Sequence, residues 1–193
     1  MKKLFILPLF AVLAMAAAST FRYNVDISAS NIIWKGYKVT GEHTGTVKLK
    51  SGNLQFAGST LSGGSFEVDI NSITCADLEG EWAAKLVGHL KSDDFFGAAK
   101  YPVARFVITR VIPQDTKGNY KIIGNLTIKE TTKEIKFFVN LTEKNGMVTA
   151  TGQIKIDRSE FDVRYGSGSF FDNLGDKTIY DEFDLNISLV AKK

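Results

Sequence analysis

Residues 135–141 read Ile135-Lys136-Phe137-Phe138-Val139-Asn140-Leu141, residues 144–146 read Lys144-Asn145-Gly146, and residues 148–156 read Val148-Thr149-Ala150-Thr151-Gly152-Gln153-Ile154-Lys155-Ile156. Ile135, Phe137, Val139 and Leu141 alternate with Lys136, Phe138 and Asn140, and the run after the Asn-Gly pair alternates in the same way. A period of two turns one face of a segment to a core and the other to water, the pattern of an antiparallel strand with one buried side. Asn-Gly between two such runs supplies the two left-handed residues that a tight hairpin needs.

The same reading extends outward. Tyr120, Ile122, Gly124, Leu126 and Ile128 share a face opposite Lys121, Asn125, Thr127 and Lys129. Ala104, Phe106 and Ile108 alternate with Arg105 and Val107, and Phe66 to Ile70 reads Phe-Glu-Val-Asp-Ile. Near the C-terminus Phe183, Leu185, Ile187 and Leu189 alternate with Asp184, Asn186 and Ser188. Weaker strands are expected at 32–39, 45–50 and 53–56, with turns at Ser62-Gly63-Gly64 and Lys117-Gly118-Asn119. One segment breaks the period. Leu78, Trp82, Leu86 and Leu90 recur every four residues, which predicts a short amphipathic helix over 78–90 covering one end of the sheet. Ser92-Asp93-Asp94 then reads as the cap of a further turn carrying Phe95 and Phe96. The expected architecture is one all-β domain of eight or more antiparallel strands with a helical insertion, and closing such a sheet into a barrel removes its exposed edges.

The chain has 193 residues, a formal net charge of +3, one cysteine and two histidines. One cysteine excludes an intramolecular disulfide framework, and so few soft ligands argue against a zinc site, so no metal or cofactor is expected. Lys2 and Lys3 precede an apolar run from Leu4 to Ala18 that ends in small residues. This is the pattern of a secretory signal peptide over 1–18, with the domain occupying 19–193. A run of fifteen is short of the roughly 20 residues a transmembrane helix needs, so no membrane anchor is expected after cleavage. Losing two lysines brings the net charge close to neutral, which removes the electrostatic basis for nucleic-acid binding. A periplasmic or secreted location follows from the leader.

Catalytic patterns are absent from the sequence. No Gly-x-Ser-x-Gly elbow and no phosphate loop occurs, and the Gly166-Ser167-Gly168-Ser169 stretch reads as a loop. His89, near Asp93 and Asp94, reads more readily as a helix-end histidine on terminal carbonyls than as an acid–base group. Cys75 reads as a small core or rim residue with no histidine beside it. Asp157, Arg158, Glu160, Asp162 and Arg164 read as a solvated turn with ion pairs, and a ligand head-group site is the minority reading. The sequons at Asn125, Asn140 and Asn186 fall on polar strand faces. The inward Gly124 and Gly152 fit two readings equally: relief of crowding, or room in the lumen for an apolar ligand.

Several blocks together resemble the YceI-like family: His89-Leu90-Lys91-Ser92-Asp93-Asp94-Phe95-Phe96, Lys100-Tyr101-Pro102, Ala104-Arg105-Phe106, Gly124-Asn125-Leu126-Thr127-Ile128 leading to Thr132-Lys133, and Arg158-Ser159-Glu160-Phe161. The resemblance runs from about Phe21 to the C-terminus. It implies an extended, eight-stranded, lipocalin-like antiparallel barrel, exported, whose lumen binds long isoprenoids, either polyprenyl chains or quinone-like amphiphiles. Two departures stand near the barrel ends: Asp162 replaces the glycine common in the family after the phenylalanine, and Leu86-Val87-Gly88 replaces charged residues. Alternation then selects the expected lining: Phe66, Val68, Phe106, Ile108, Leu126, Phe137, Val139, Ile154 and Leu185, with Trp34 and Phe161 beside them. Such a lining needs no chemistry, since each buried methylene contributes about 0.8 kcal/mol. The rival readings are a lipid-processing enzyme, a filled structural or stress-related barrel, and an outer-membrane pore, whose apolar face would point outward. The sequence leaves the oligomeric state open, a homodimer included.

Overall fold

The computed structural model describes residues 19–193; the leader expected over 1–18 lies outside the described residues. Its strands are β1 (Thr20–Val25), β2 (Asn31–Lys38), β3 (Gly41–Ala57), β4 (Thr60–Asp69), β5 (Val103–Pro113), β6 (Asn119–Ile128), β7 (Thr131–Lys144), β8 (Met147–Asp157) and β9 (Ile179–Lys192). One helix, α1 (Gly80–Lys91), enters between β4 and β5. Neighbours pair antiparallel in the order β3-β2-β9-β8-β7-β6-β5-β4, and β4 returns to β3, closing an eight-stranded barrel.

The ninth strand adds no ninth position. β1 pairs with residues 53–57 of β3 and with Lys192 and Ala191 of β9, while β2 pairs with residues 41–47 of β3 and 179–188 of β9. β1 and β2 therefore run in line between the same two strands and share one place in the wall. The break between them is held by Asp26. Its carboxylate accepts from Lys192 Nζ at 2.6 Å, Ser28 Oγ at 2.6 Å and the Ala29 N–H at 3.1 Å.

Local expectations differ from the structure at several points. The runs 45–50 and 53–56 are one strand, bent by a register shift between Leu49 and Ser51, so the polar interruption marks a bulge and not a loop. Ser62-Gly63-Gly64 is strand and not turn. Gly64 sits where a Cβ would lie 2.6 Å from Asn53 O, so its missing side chain serves close strand approach, and the chain reverses at Gly58-Ser59 instead. The Asn145-Gly146 hairpin is as the sequence predicts, with φ of 54° and 73°. Trp82 leaves the helical stripe. It is 70% exposed, whereas Leu86 and Leu90 face the barrel, so only the later turns of α1 have anything opposite them.

Ser92 ends α1 and donates from Oγ to the His89 carbonyl at 2.8 Å, so its side chain does not cap the next turn; the turn forms all the same, through Phe95 N–H to Ser92 O. The apolar strand faces point inward, as in a soluble barrel and opposite to a membrane pore. The short hairpins at 58–59, 114–118 and 145–146 lie at one end, where Tyr23 and Phe56 pack with ring centroids 5.1 Å apart. α1 and the long 158–178 connection lie at the other, which is the mouth.

Candidate functional site

The lumen holds two apolar cavities in series. The one at the mouth encloses about 190 Å³ and the deeper one about 100 Å³. Val68, Leu126, Ile156 and Leu185 belong to the walls of both, so these four side chains form the waist between them. They come from β4, β6, β8 and β9, and inward alternation along each strand is what brings them to one level.

Of the residues expected to line the lumen, Trp34, Val68, Leu126 and Leu185 line the mouth cavity. Phe66, Val68, Phe106, Ile108, Leu126, Phe137, Val139, Ile154 and Leu185 line the deeper one. Phe161 lines neither. It lies fully buried in the 3-10 turn Arg158–Phe161 and belongs to the hydrophobic core, in a segment where no strand period applies. The glycines resolve toward crowding. A Cβ on Gly124 would lie 2.5 Å from Phe106 Cζ, and one on Gly152 would lie 2.7 Å from Phe138 O, so the space is already taken. Residues that alternation did not flag, among them Tyr37, Leu86, Phe96 and Tyr180, also reach the mouth cavity; they stand on the helix, the turns and the strand ends, outside any period-two run.

Two groups of polar residues frame the mouth. Residues 74–76 run along the free edge of β3, with Thr74 N–H donating to Thr46 O at 2.9 Å and Ala76 N–H to Thr44 O at 2.8 Å. Gly45 permits this, since a Cβ there would stand 1.9 Å from Thr74 O. The approach sets Asp77 against His43, whose Nδ1 lies 2.7 Å from Asp77 Oδ2; Oδ1 accepts from the Thr44 N–H at 2.9 Å and from Cys75 Sγ at 3.3 Å. Burial opposes ionisation of Asp77, but the hydrogen bonds from Thr44, His43 and Cys75 outweigh it and hold the carboxyl below its ordinary range. Since an ionised carboxylate only accepts, His43 donates from Nδ1 in this bond. Contrary to expectation, Cys75 thus shares a carboxylate with a histidine, though both direct their polar atoms at Asp77 and not at each other.

The second group is the expected solvated turn, and it is not solvated at its centre. Arg158 is 2% exposed. It donates to Val163 O at 2.6 Å, Ile179 O at 2.9 Å and Tyr180 O at 3.2 Å, and its Nη2 lies 3.3 Å from Asp181 Oδ1. Burial lowers the proton affinity of the guanidinium, while Asp181 and Asp157 work against that shift. Its charged plane also sits 5.2 Å from the centre of the Phe95 ring. His89 is not on helix-end carbonyls either. Its ring meets Tyr165 at 4.3 Å and Phe95 at 5.4 Å, and its Nε2 is buried without a partner. Histidine and arginine here fasten α1 to the 158–178 connection. The remaining members of the charge cluster behave as expected, with Arg164 and Asp162 forming an exposed pair.

The arrangement is an apolar tube with a polar collar. No group of metal-ligating side chains large enough to hold an ion occurs among the described residues. The sequence model of the YceI-like domain matches residues 23–191, nearly the whole described barrel.

The chain belongs to the YceI-like family.

A UPF0312 protein of Shewanella denitrificans is 34% identical over 84 residues, a match spanning 44% of this chain and 41% of that protein. The chain thus matches well under half the length of this curated relative. Solved structures of YceI-like barrels share the fold at lower identity. BcnA of Burkholderia cenocepacia superposes with a TM-score of 0.72 at 24% identity, over 87% of this chain and 99% of that one. A polyisoprenoid-binding domain from Saccharophagus degradans, implicated in plant cell wall breakdown, gives 0.66 at 16% identity, over 88% and 97%. The YceI protein of Campylobacter jejuni gives 0.54 at 23% identity, over 69% and 73%. At these identities the superpositions establish the barrel and leave ligand choice to the residues of each lumen. The helix and turn before β5 and the turn after β8, which carry the motifs His89–Phe96 and Arg158–Phe161, build the collar of this YceI-like barrel together with His43 and residues 74–77.

Proposed function

We propose that this protein is an exported carrier that holds a long isoprenoid, or a quinone-like amphiphile, with its tail in the lumen, and that it performs no chemistry on it. The observation that carries this reading is the pair of apolar cavities joined at Val68, Leu126, Ile156 and Leu185. An unbranched polar ligand would leave its hydrogen bonds unmade against such walls, at a cost of about 1–3 kcal/mol per group. A prenyl tail gains from every buried methylene instead, less the cost of ordering its rotatable bonds. The depth beyond the waist suits a tail more than a compact ring system. The leader pattern at 1–18 supports export to the periplasm, and the described helix is too short to cross a membrane.

The test is organic extraction of protein purified from the periplasm, followed by mass spectrometry. An isoprenoid recovered in stoichiometric amount is the expected result. Leu126→Arg, which puts a charge at the waist, should abolish recovery while the protein still elutes as a folded monomer or dimer. Folded wild-type protein that yields no lipid and takes up no apolar dye would sink the proposal.

A further inference from the structure

Among the described residues, six of the eleven exposed large hydrophobic side chains stand at the mouth: Val39, Trp82, Tyr165, Phe170 and Phe171 on its connections and Tyr180 at the start of β9. At the opposite end the hairpins carry Gly58-Ser59, Asp115 to Gly118 and Asn145-Gly146. The aromatic side chains belong to two elements tied together: Tyr165 packs on His89 of α1 at 4.3 Å, and the Val39 N–H donates to Thr178 O at 3.2 Å. The patch therefore rings the cavity that opens beneath it, and Tyr180 belongs to both.

Nothing in the fold needs these rings outside. Trp82 is 70% exposed on a helix that fully buries none of its residues, and Phe170 and Phe171 follow the buried Ser167, whose backbone carbonyl accepts from both of their N–H groups. Solvated indole and phenyl surface has a cost that only a partner removes. Trp and Tyr beside cations are the side chains that settle at a lipid–water boundary, where the ring is buried and the polar edge stays wet. Lys85 lies 5.1 Å from the Trp82 ring and Arg164 lies 4.7 Å from the Phe170 ring. Both cations are already paired, with Glu81 and Asp162. Asp94, Asp172 and Asp176 stand exposed on the same connections, with Lys177 exposed and Lys91 half-buried among them. The free charge of the rim is of both signs.

We infer that the mouth end is a docking face for a zwitterionic phospholipid surface, on which the barrel seats its opening to exchange the lumen's occupant. This rests on the carrier reading above for its purpose, and on the rim alone for its geometry. With free charges of both signs, the rim prefers neither anionic nor cationic lipid, so the attachment is hydrophobic and not electrostatic in origin.

Flotation of the purified protein with phosphatidylcholine vesicles tests it. The wild type floats with them. Adding phosphatidylglycerol to the vesicles changes flotation little, at low salt or at high. Replacing Trp82→Gln, Phe170→Ser and Phe171→Ser together lowers partition by about tenfold or more, with unchanged circular dichroism and melting temperature. Trp82→Gln alone, on the partly buried helix, keeps the comparison open if the triple change disturbs folding. No flotation with phosphatidylcholine, flotation unaffected by these substitutions, or flotation only with anionic vesicles overturns the inference. So does a dimer that the same substitutions dissociate. Extractable lipid without flotation defeats the docking face and leaves the carrier; flotation without extractable lipid does the reverse.

Discussion

The ring of Phe106 occupies the space that a side chain on Gly124 would need, with Phe106 Cζ 2.5 Å from the position of a Gly124 Cβ. The two lie on adjacent strands, β5 and β6, and Phe106 stacks onward to Phe137 at 5.4 Å and Phe66 at 6.5 Å. Gly124→Ala must clear both this aromatic row and the Val107 carbonyl, also 2.5 Å away. Overpacking of this kind costs about 1–3 kcal/mol. Urea denaturation should show that loss, and Phe106→Leu in the same chain should recover part of it. Equal stability of Gly124→Ala and wild type would mean that the ring has free space to move into.

Arg158 and Asp181 make a second prediction. With 2% exposure and three backbone carbonyls on its fork, Arg158 holds the chain from Val163 to Tyr180 over the mouth. Arg158→Leu leaves Asp181 and those carbonyls without a cation, a change that costs about 3–5 kcal/mol in buried pairs. Arg158→Lys keeps the charge but reaches fewer acceptors, so its melting temperature falls between the two. A leucine variant as stable as wild type would show that packing alone carries this connection.

Acid should weaken the broken wall position. Hydrogen bonds from Lys192, then Ser28 and Ala29, hold the Asp26 carboxyl well below the ordinary carboxylate range. A carboxyl depressed in the folded state stabilises it at pH values above the unfolded pKa of about 4, and that contribution fades as pH falls toward the folded value. The denaturation midpoint of Asp26→Asn is therefore lower than that of wild type at neutral pH, and the gap narrows from about pH 4 downward. A gap independent of pH would assign the effect to the Asn side chain and not to the charge.

Asp162 adopts φ 61° and ψ 31°, left-handed geometry at the end of the 3-10 turn. A glycine at this place would meet that geometry without a Cβ penalty. The exposed Arg164 pair offers Asp162 little in return. Asp162→Gly should match or exceed wild type by up to about 1 kcal/mol, the gain being limited by the greater freedom of glycine in the unfolded chain. Asp162→Ala should fall below both, by thermal unfolding; alanine ranking with glycine would remove backbone geometry as the reason.

Much of the barrel could be read directly from the chain, because a strand's two faces are a local matter. Phe137 and Val139 point inward by virtue of their neighbours Lys136, Phe138 and Asn140, whatever the rest of the molecule does. The same locality explains the Asn145-Gly146 reversal. It also explains the errors. Phe161 stands in a 3-10 turn, where no alternation assigns a face, and Ser62-Gly63-Gly64 looked like a turn because glycine's two uses, reversal and close approach, are the same letter. β1 escaped notice since six residues of alternation, Thr20 to Val25, carry little signal against the leader before them.

The sequence by itself determined the all-β class, the inward and outward faces of β4 to β9, the helical interruption and the family. Those features depend on spacing within one segment, which the chain carries wherever it goes. Only the tertiary structure decided that β1 and β2 share one place in the wall, that Phe106 fills the gap at Gly124, that Asp77 gathers His43 and Cys75, and that Arg158 is buried. Each of these joins residues from separate strands or connections. A charge is kept out of water only when acceptors distant in sequence close around it, and for Arg158 those acceptors lie as far away as Ile179, Tyr180 and Asp181.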